Sequence, residues 1–200
     1  MQISPAPCDD EDRVNVSHKH RFVFLANMRT GTRCVFHALR RYFACIGGSH
    51  DARTLTHKIG IPAGCERYLV IATVRNPFSR MVSCWNWVRE VPGWPSGIDK
   101  FVRANPHDFA GFVERAMSTG FDSQSRRLGE IEPDQLIRYE RLQASFSELP
   151  FVTDEQLHIV PQSPITANWQ SWYRPEIEKM VAEKWADDFD RFGYPKVIGR

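Results

Sequence analysis

Two stretches of the chain are apolar at almost every position, and each runs straight into a basic turn and a helical pattern. Phe22-Val-Phe-Leu-Ala26 is uninterrupted, as in a strand buried on both faces of a parallel sheet. Asn27-Met-Arg-Thr-Gly-Thr32 follows. Val35, Phe36, Leu39 and Phe43 then recur at helical spacing, with Thr32 placed to cap that helix. Tyr68-Leu-Val-Ile-Ala-Thr-Val74 repeats the arrangement. Arg75-Asn76 form its exit turn, Pro77 suits the first position of a helix, and Met81, Val82, Trp85 and Val88 share one face.

The remaining pattern is weaker. It predicts a short helical piece over Arg53 to Lys58, a loop through Gly60, Pro62 and Gly64, and another loop from Val91 to Gly97. A helix is expected over Asp108 to Ser118, a third strand over Gln135 to Tyr139, and a helix starting near Gln143. The last helix opens at Pro175 with acidic residues in its first turn. It buries Ile177, Met180, Val181 and Trp185 and ends near Gly193. Residues 1–20 show no apolar periodicity and read as a loose N-terminal arm, which leaves 21–200 as a single domain. Strands alternating with helices predict an α/β fold, a P-loop-like three-layer sandwich around a central, mostly parallel sheet.

Composition narrows the class. Charged residues make up 25% and the hydrophobic set 42%, which suits a globular domain, and a formal net charge of +2 is too small for nucleic acid as a bulk partner. The five cysteines are scattered, with no C-x-x-C pair, so reduced thiols in a cytoplasmic protein are expected rather than disulfides or a zinc site. No apolar run approaches the roughly 20 residues of a membrane span, so no integral membrane segment is expected. The acidic Asp9-Asp-Glu-Asp12 does not read as the start of a signal peptide.

The chemistry lies in the two turns. Strand, glycine-containing turn and helix aim backbone amides and a helix N-terminus at an anion. The first turn is not a Walker A loop: relative to Gly31, the first glycine would fall at Ala26, the lysine at Thr32 and the Mg²⁺-binding hydroxyl at Arg33. In the second turn, Arg75 stands at the carboxyl end of a strand, where α/β proteins bind ligands, with Ser83 eight residues later on the next helix. Arg75 either grips a phosphate with the Ser83 hydroxyl as a second donor, or pairs with a carboxylate while Ser83 lies on the helix surface. Two such turns in one small sheet favour a ligand with two separated phosphates.

Arg29-Thr-Gly-Thr32 resembles the 5′-phosphosulfate loop of sulfotransferases that use 3′-phosphoadenosine 5′-phosphosulfate (PAPS), and Val74-Arg-Asn-Pro-Phe-Ser-Arg-Met-Val-Ser83 resembles their 3′-phosphate segment. Leu136 to Leu142 resembles a downstream strand, and Tyr173 to Tyr194 the closing helix with its D-x-x-x-F-G-Y-like end. The resemblance is to the carbohydrate-type enzymes and their bacterial relatives. It implies a cofactor site of Arg29, Thr30, Gly31, Thr32, Arg33 and Cys34 for the phosphosulfate, with the Thr30 and Thr32 hydroxyls as extra donors. Arg75 and Ser83 would hold the 3′-phosphate, and no metal is implied. Arg29 would also act in catalysis, neutralising the bridging oxygen as the S–O bond breaks. Arg33 has a second reading as a solvated helix-start residue.

The acceptor implied is a hydroxyl, or an amine, on a carbohydrate-like or small molecule. A base must take its proton. His50, in Ser49-His-Asp-Ala-Arg53, most resembles the family's position; His57, another histidine or a remote glutamate are the alternatives. Trp87, Trp94 and Trp169 are either packing residues or part of a groove for adenine or sugar. Two other functions fit the same turns: a nucleotide-binding module without catalysis, and a P-loop nucleotide-dependent kinase. The kinase is disfavoured by the missing lysine at Thr32.

Overall fold

In the computed structural model, residues 14–43, 55, 57–91, 97–119, 121–153, 159 and 168–199 are described. Four strands among them form one mixed sheet in the order β1 (Asn15–Ser17), β2 (Phe22–Leu25), β3 (Leu69–Val74) and β4 (Gln135–Arg138). β2, β3 and β4 are parallel, with Phe22 opposite Leu69 and Ile71 opposite Gln135, whereas β1 runs antiparallel to β2. The protein is thus an α/β fold with a mostly parallel sheet. Every residue of β2 is fully buried, as its unbroken apolar run requires.

β1 lies inside the stretch expected to be a loose arm. It carries no apolar alternation because its contacts are polar: Asn15 Nδ2 donates to Phe24 O at 3.1 Å and the Ser17 hydroxyl donates to Tyr42 O. An edge strand joined to its neighbour by a tight hairpin needs little hydrophobic signature. The hairpin turns through Arg21 at φ 53°.

The helices are α1 (Thr32–Leu39), α2 (Pro77–Glu90), α3 (Ile98–Ala104), α4 (Phe109–Ser118), α5 (Gln124–Leu128), α6 (Leu142–Ser147), α7 (Pro175–Lys184) and α8 (Ala186–Phe192). The closing helix expected from Pro175 to Gly193 is two helices that meet at Trp185, and Gly193 ends the second at φ 65°. No helix forms at Leu55, His57 and Lys58, where a short one was expected; Arg53, Thr54 and Thr56 of the same stretch lie outside the described residues.

The chain falls into two compact units, Met1–Val74 with Leu128–Gln162, and Arg75–Arg127 with Ser163–Arg200. The first packs the sheet against Val35, Leu39, Phe43 and Phe146. The second packs α2 against α4, α7 and α8 through Phe78, Trp85, Phe112, Val181, Trp185 and Phe189. Trp85 and Trp185 are therefore packing residues, burying large apolar rings. Among the described residues, no helix is long and apolar enough to cross a membrane.

Candidate functional site

The first turn belongs to the first unit. Beyond β2, the buried Ala26 and Asn27 lead into two left-handed residues, Arg29 at φ 63° and Gly31 at φ 81°. This conformation is free for glycine and uncommon for arginine, at a cost of roughly 1–2 kcal/mol. At Gly31 space is limiting as well: a Cβ would stand 2.8 Å from Tyr139 Cδ2. Tyr139, just past β4, thus packs directly on the turn.

Thr32 is the first residue of α1 rather than its cap. Gly31 holds the N-cap position, and no side chain caps the helix. Thr32 Oγ1 instead donates to Asn27 O at 2.5 Å, and Thr30 Oγ1 lies 2.8 Å from Asn27 O and 2.6 Å from Thr73 Oγ1. Thr30 is wholly buried and Thr32 is 4% exposed. Both hydroxyls serve the turn itself, so neither is the phosphate donor expected of it; what the segment offers an anion is backbone N–H. Cys34 N and Val35 N both donate to Gly31 O, at 3.0 and 3.2 Å, so with no side-chain cap what the positive end of the helix offers is the N–H groups that precede them. Arg29 and Cys34 are half-buried beside them, and Arg33 is exposed.

His57 stands near the same segment. Its Nδ1 lies 2.9 Å from Ala26 O, and a carbonyl only accepts, so Nδ1 is the donor and, in the neutral tautomer, Nε2 would be the basic nitrogen. His50 and Trp94 lie outside the described residues.

The second turn belongs to the second unit. Asn76 caps α2, its Oδ1 accepting from Phe78 N at 2.9 Å and Ser79 N at 3.4 Å, and Pro77 occupies the first helical position. Arg75 is 2% exposed, and its Nε donates to Ser79 Oγ at 2.8 Å. Ser83, also 2% exposed, faces inward, so it is not a surface helix residue. The main chain of Arg75 is gripped by one side chain: its N–H donates to Gln124 Oε1 at 2.8 Å and its carbonyl accepts from Gln124 Nε2 at 2.9 Å.

Gln124 is held in turn by Asp188, whose carboxylate accepts from Gln124 N, Gln124 Nε2 and Ser125 N at 2.9, 3.1 and 2.7 Å. Arg80 Nη1 lies 3.9 Å from the same carboxylate, with both side chains buried. Nearby, Arg127 is held below the usual guanidinium range by burial and then by the charge of Arg80.

Sequence reasoning missed Gln124, which is a lone polar residue in an unpatterned stretch. Asp188 stands in the D-x-x-x-F-G-Y-like end, but the pattern carries no indication of what its carboxylate would hold. Trp169 stacks on Phe78, with ring centroids 6.2 Å apart, and so packs at least one face within the second unit. A cleft of about 590 Å³ in that unit, lined by His107, Asp108, Trp172, Arg174 and Glu176 among others, contains none of the expected site residues. No protein-family model, curated protein or solved structure gives a significant match to the chain.

Proposed function

We propose that this protein is a PAPS-dependent sulfotransferase of the carbohydrate-type kind, built on a P-loop-like three-layer sandwich. Arg29 to Cys34 bind the 5′-phosphosulfate, and Arg75 with Ser83 bind the 3′-phosphate. The observation that carries this reading is the start of α1. An uncapped helix N-terminus of eight residues, entered through a left-handed glycine that has no room for a side chain, lies between Arg29 and Arg33. Such a start suits a tightly approaching anion. A buried arginine at the end of the next strand adds the means to recognise a second phosphate.

In the transfer, the acceptor oxygen or nitrogen attacks sulfur in line and forms the new bond to it. The S–O bond to the 5′-phosphate breaks, and its electron pair stays on the phosphate. The acceptor proton passes to a histidine, and the products are the sulfated acceptor and adenosine 3′,5′-bisphosphate. Arg29 stabilises the charge that grows on the bridging oxygen. His50 is the base by position in the sequence, and His57 is the alternative whose Nε2 lone pair suits the role. The acceptor is a carbohydrate-like or small molecule. The free thiols of Cys34, Cys65 and Cys84 suit action in the reducing cytoplasm.

Thermal stabilisation by adenosine 3′,5′-bisphosphate, set against ATP·Mg²⁺, tests the reading. A clear upward shift is expected with the former alone, and Arg75→Ala should abolish it. An equal response to both nucleotides would overturn the PAPS assignment and favour a kinase.

A further inference from the structure

The buried polar chain from Asp188 through Gln124 to Arg75 goes beyond assigning Arg75 to a phosphate, although it rests on that assignment. β3 makes its last ladder pair at Val74, opposite Arg138. One residue on, the side-chain amide of Gln124 both accepts from Arg75 N and donates to Arg75 O, the two bonds a neighbouring strand would supply. An amide has only one orientation that does this. A carboxylate next to Nε2 enforces it, since Asp188 accepts and does not donate.

Asp188 and Gln124 are both wholly buried. A buried carboxylate is a costly way to stabilise a fold, because its desolvation must be offset by several donors. Here Asp188 has three N–H donors and Arg80, and its bonds converge on the segment that fixes one arginine. The Arg75 Nε bond to Ser79 Oγ then sets the plane of the guanidinium. Main chain and side chain of a single residue are both held, which is how a rigid phosphate ligand is made.

We infer that Gln124 and Asp188 are positioning residues that hold Arg75 for the 3′-phosphate of the donor, so that they set the preference for nucleotides carrying that group. The test compares binding of adenosine 3′,5′-bisphosphate and of adenosine 5′-monophosphate to the intact protein by calorimetry. The ratio of the two affinities is insensitive to a general loss of stability, which weakens both alike.

The wild type should prefer the bisphosphate. Gln124→Leu should cut that preference by about 10- to 100-fold, the loss of a charge-assisted hydrogen bond, and leave monophosphate affinity within about twofold. In an Arg75→Ala background the same substitution should change the preference no further, because Gln124 acts through Arg75. Gln124→Asn keeps the amide but is one methylene too short; it should show the same fall and serves if the leucine variant does not fold. An unchanged preference in these variants, or a further fall without Arg75, would overturn the positioning role alone. A wild type that does not distinguish the two nucleotides would overturn the donor assignment, and the role with it.

Discussion

At the start of α1 the chain enters through a left-handed glycine and gives the helix no side-chain acceptor. At the start of α2, Asn76 takes two of the first N–H groups itself. The first turn turns its hydroxyls inward to Asn27 and Thr73 and presents backbone N–H, whereas the second satisfies its helix end and presents an arginine held from behind. Backbone dipoles are fixed in place and suit a group whose charge changes during reaction. A guanidinium has a constant charge and a planar fork, which suits a phosphate that is recognised but not transformed. On the proposed reading, the two turns would divide labour by which part of the residue does the binding.

On the proposed reading, loss of the base should strike turnover, a blocked first turn should strike binding, and loss of the Asn76 cap should strike stability alone. The largest effect is expected from the base: His50→Ala should lower turnover by roughly 10²–10⁴-fold with nucleotide binding spared. Normal turnover in that variant, with the same loss on His57→Ala, would move the base to His57. Gly31→Ala comes next. It forces a side chain into the left-handed region and against Tyr139, so it should cost roughly 2 kcal/mol or more and abolish stabilisation by the bisphosphate. Near-normal binding by Gly31→Ala would mean that the first turn does not meet the ligand closely.

Asn76→Ala should cost about 1 kcal/mol of stability through loss of the cap, seen as a lower midpoint in thermal unfolding, while bisphosphate affinity stays within about threefold. A large affinity loss there would erase the contrast between the turns. The smallest effect at neutral pH is expected at Tyr173, whose hydroxyl donates to Phe78 O at 2.8 Å. Tyr173→Phe should cost up to about 1 kcal/mol, because the Phe78 carbonyl loses this second partner and keeps its helical one.

Tyr173 also gives a pH signature. Burial first, then Cys84 and Glu178, raises its folded-state pKa well above the ordinary value. Below about pH 10 the phenol is protonated whether the chain is folded or not, so its contribution is fully present. Above that, the unfolded chain ionises first and stability falls as pH rises toward the folded value. Denaturant midpoints measured from about pH 9 to 11 should fall less steeply for Tyr173→Phe than for the wild type.

The parallel strands, α2 and α4 were legible because apolar runs and helical spacing, with Pro77 and Asp108 at the starts, all point one way. β1 was not, because polar contacts made by Asn15 and Ser17 leave no hydrophobic pattern. The same limit governs the site. Arg29, Gly31, Arg75 and Ser83 stand out because their residue types and spacing have a chemical meaning. The inward hydroxyls of Thr30 and Thr32, and the hold of Gln124 on Arg75, depend on which way a side chain faces. For the threonines that direction depends on Asn27 O in the folded turn and on Thr73, 43 residues from Thr30, and for Arg75 on a partner 49 residues away.

Those separations bear on synthesis. Arg75 leaves the ribosome well before Gln124, which lies 49 residues on, and Asp188 follows after a further 64. A chain made from its N-terminus forms the first turn's strand and helix early, yet cannot fix the second until α8, the last described helix, has emerged. If Arg75 does select the donor as proposed, that competence would arrive late and all at once, and a stalled or shortened chain would hold the arginine without the frame that aims it.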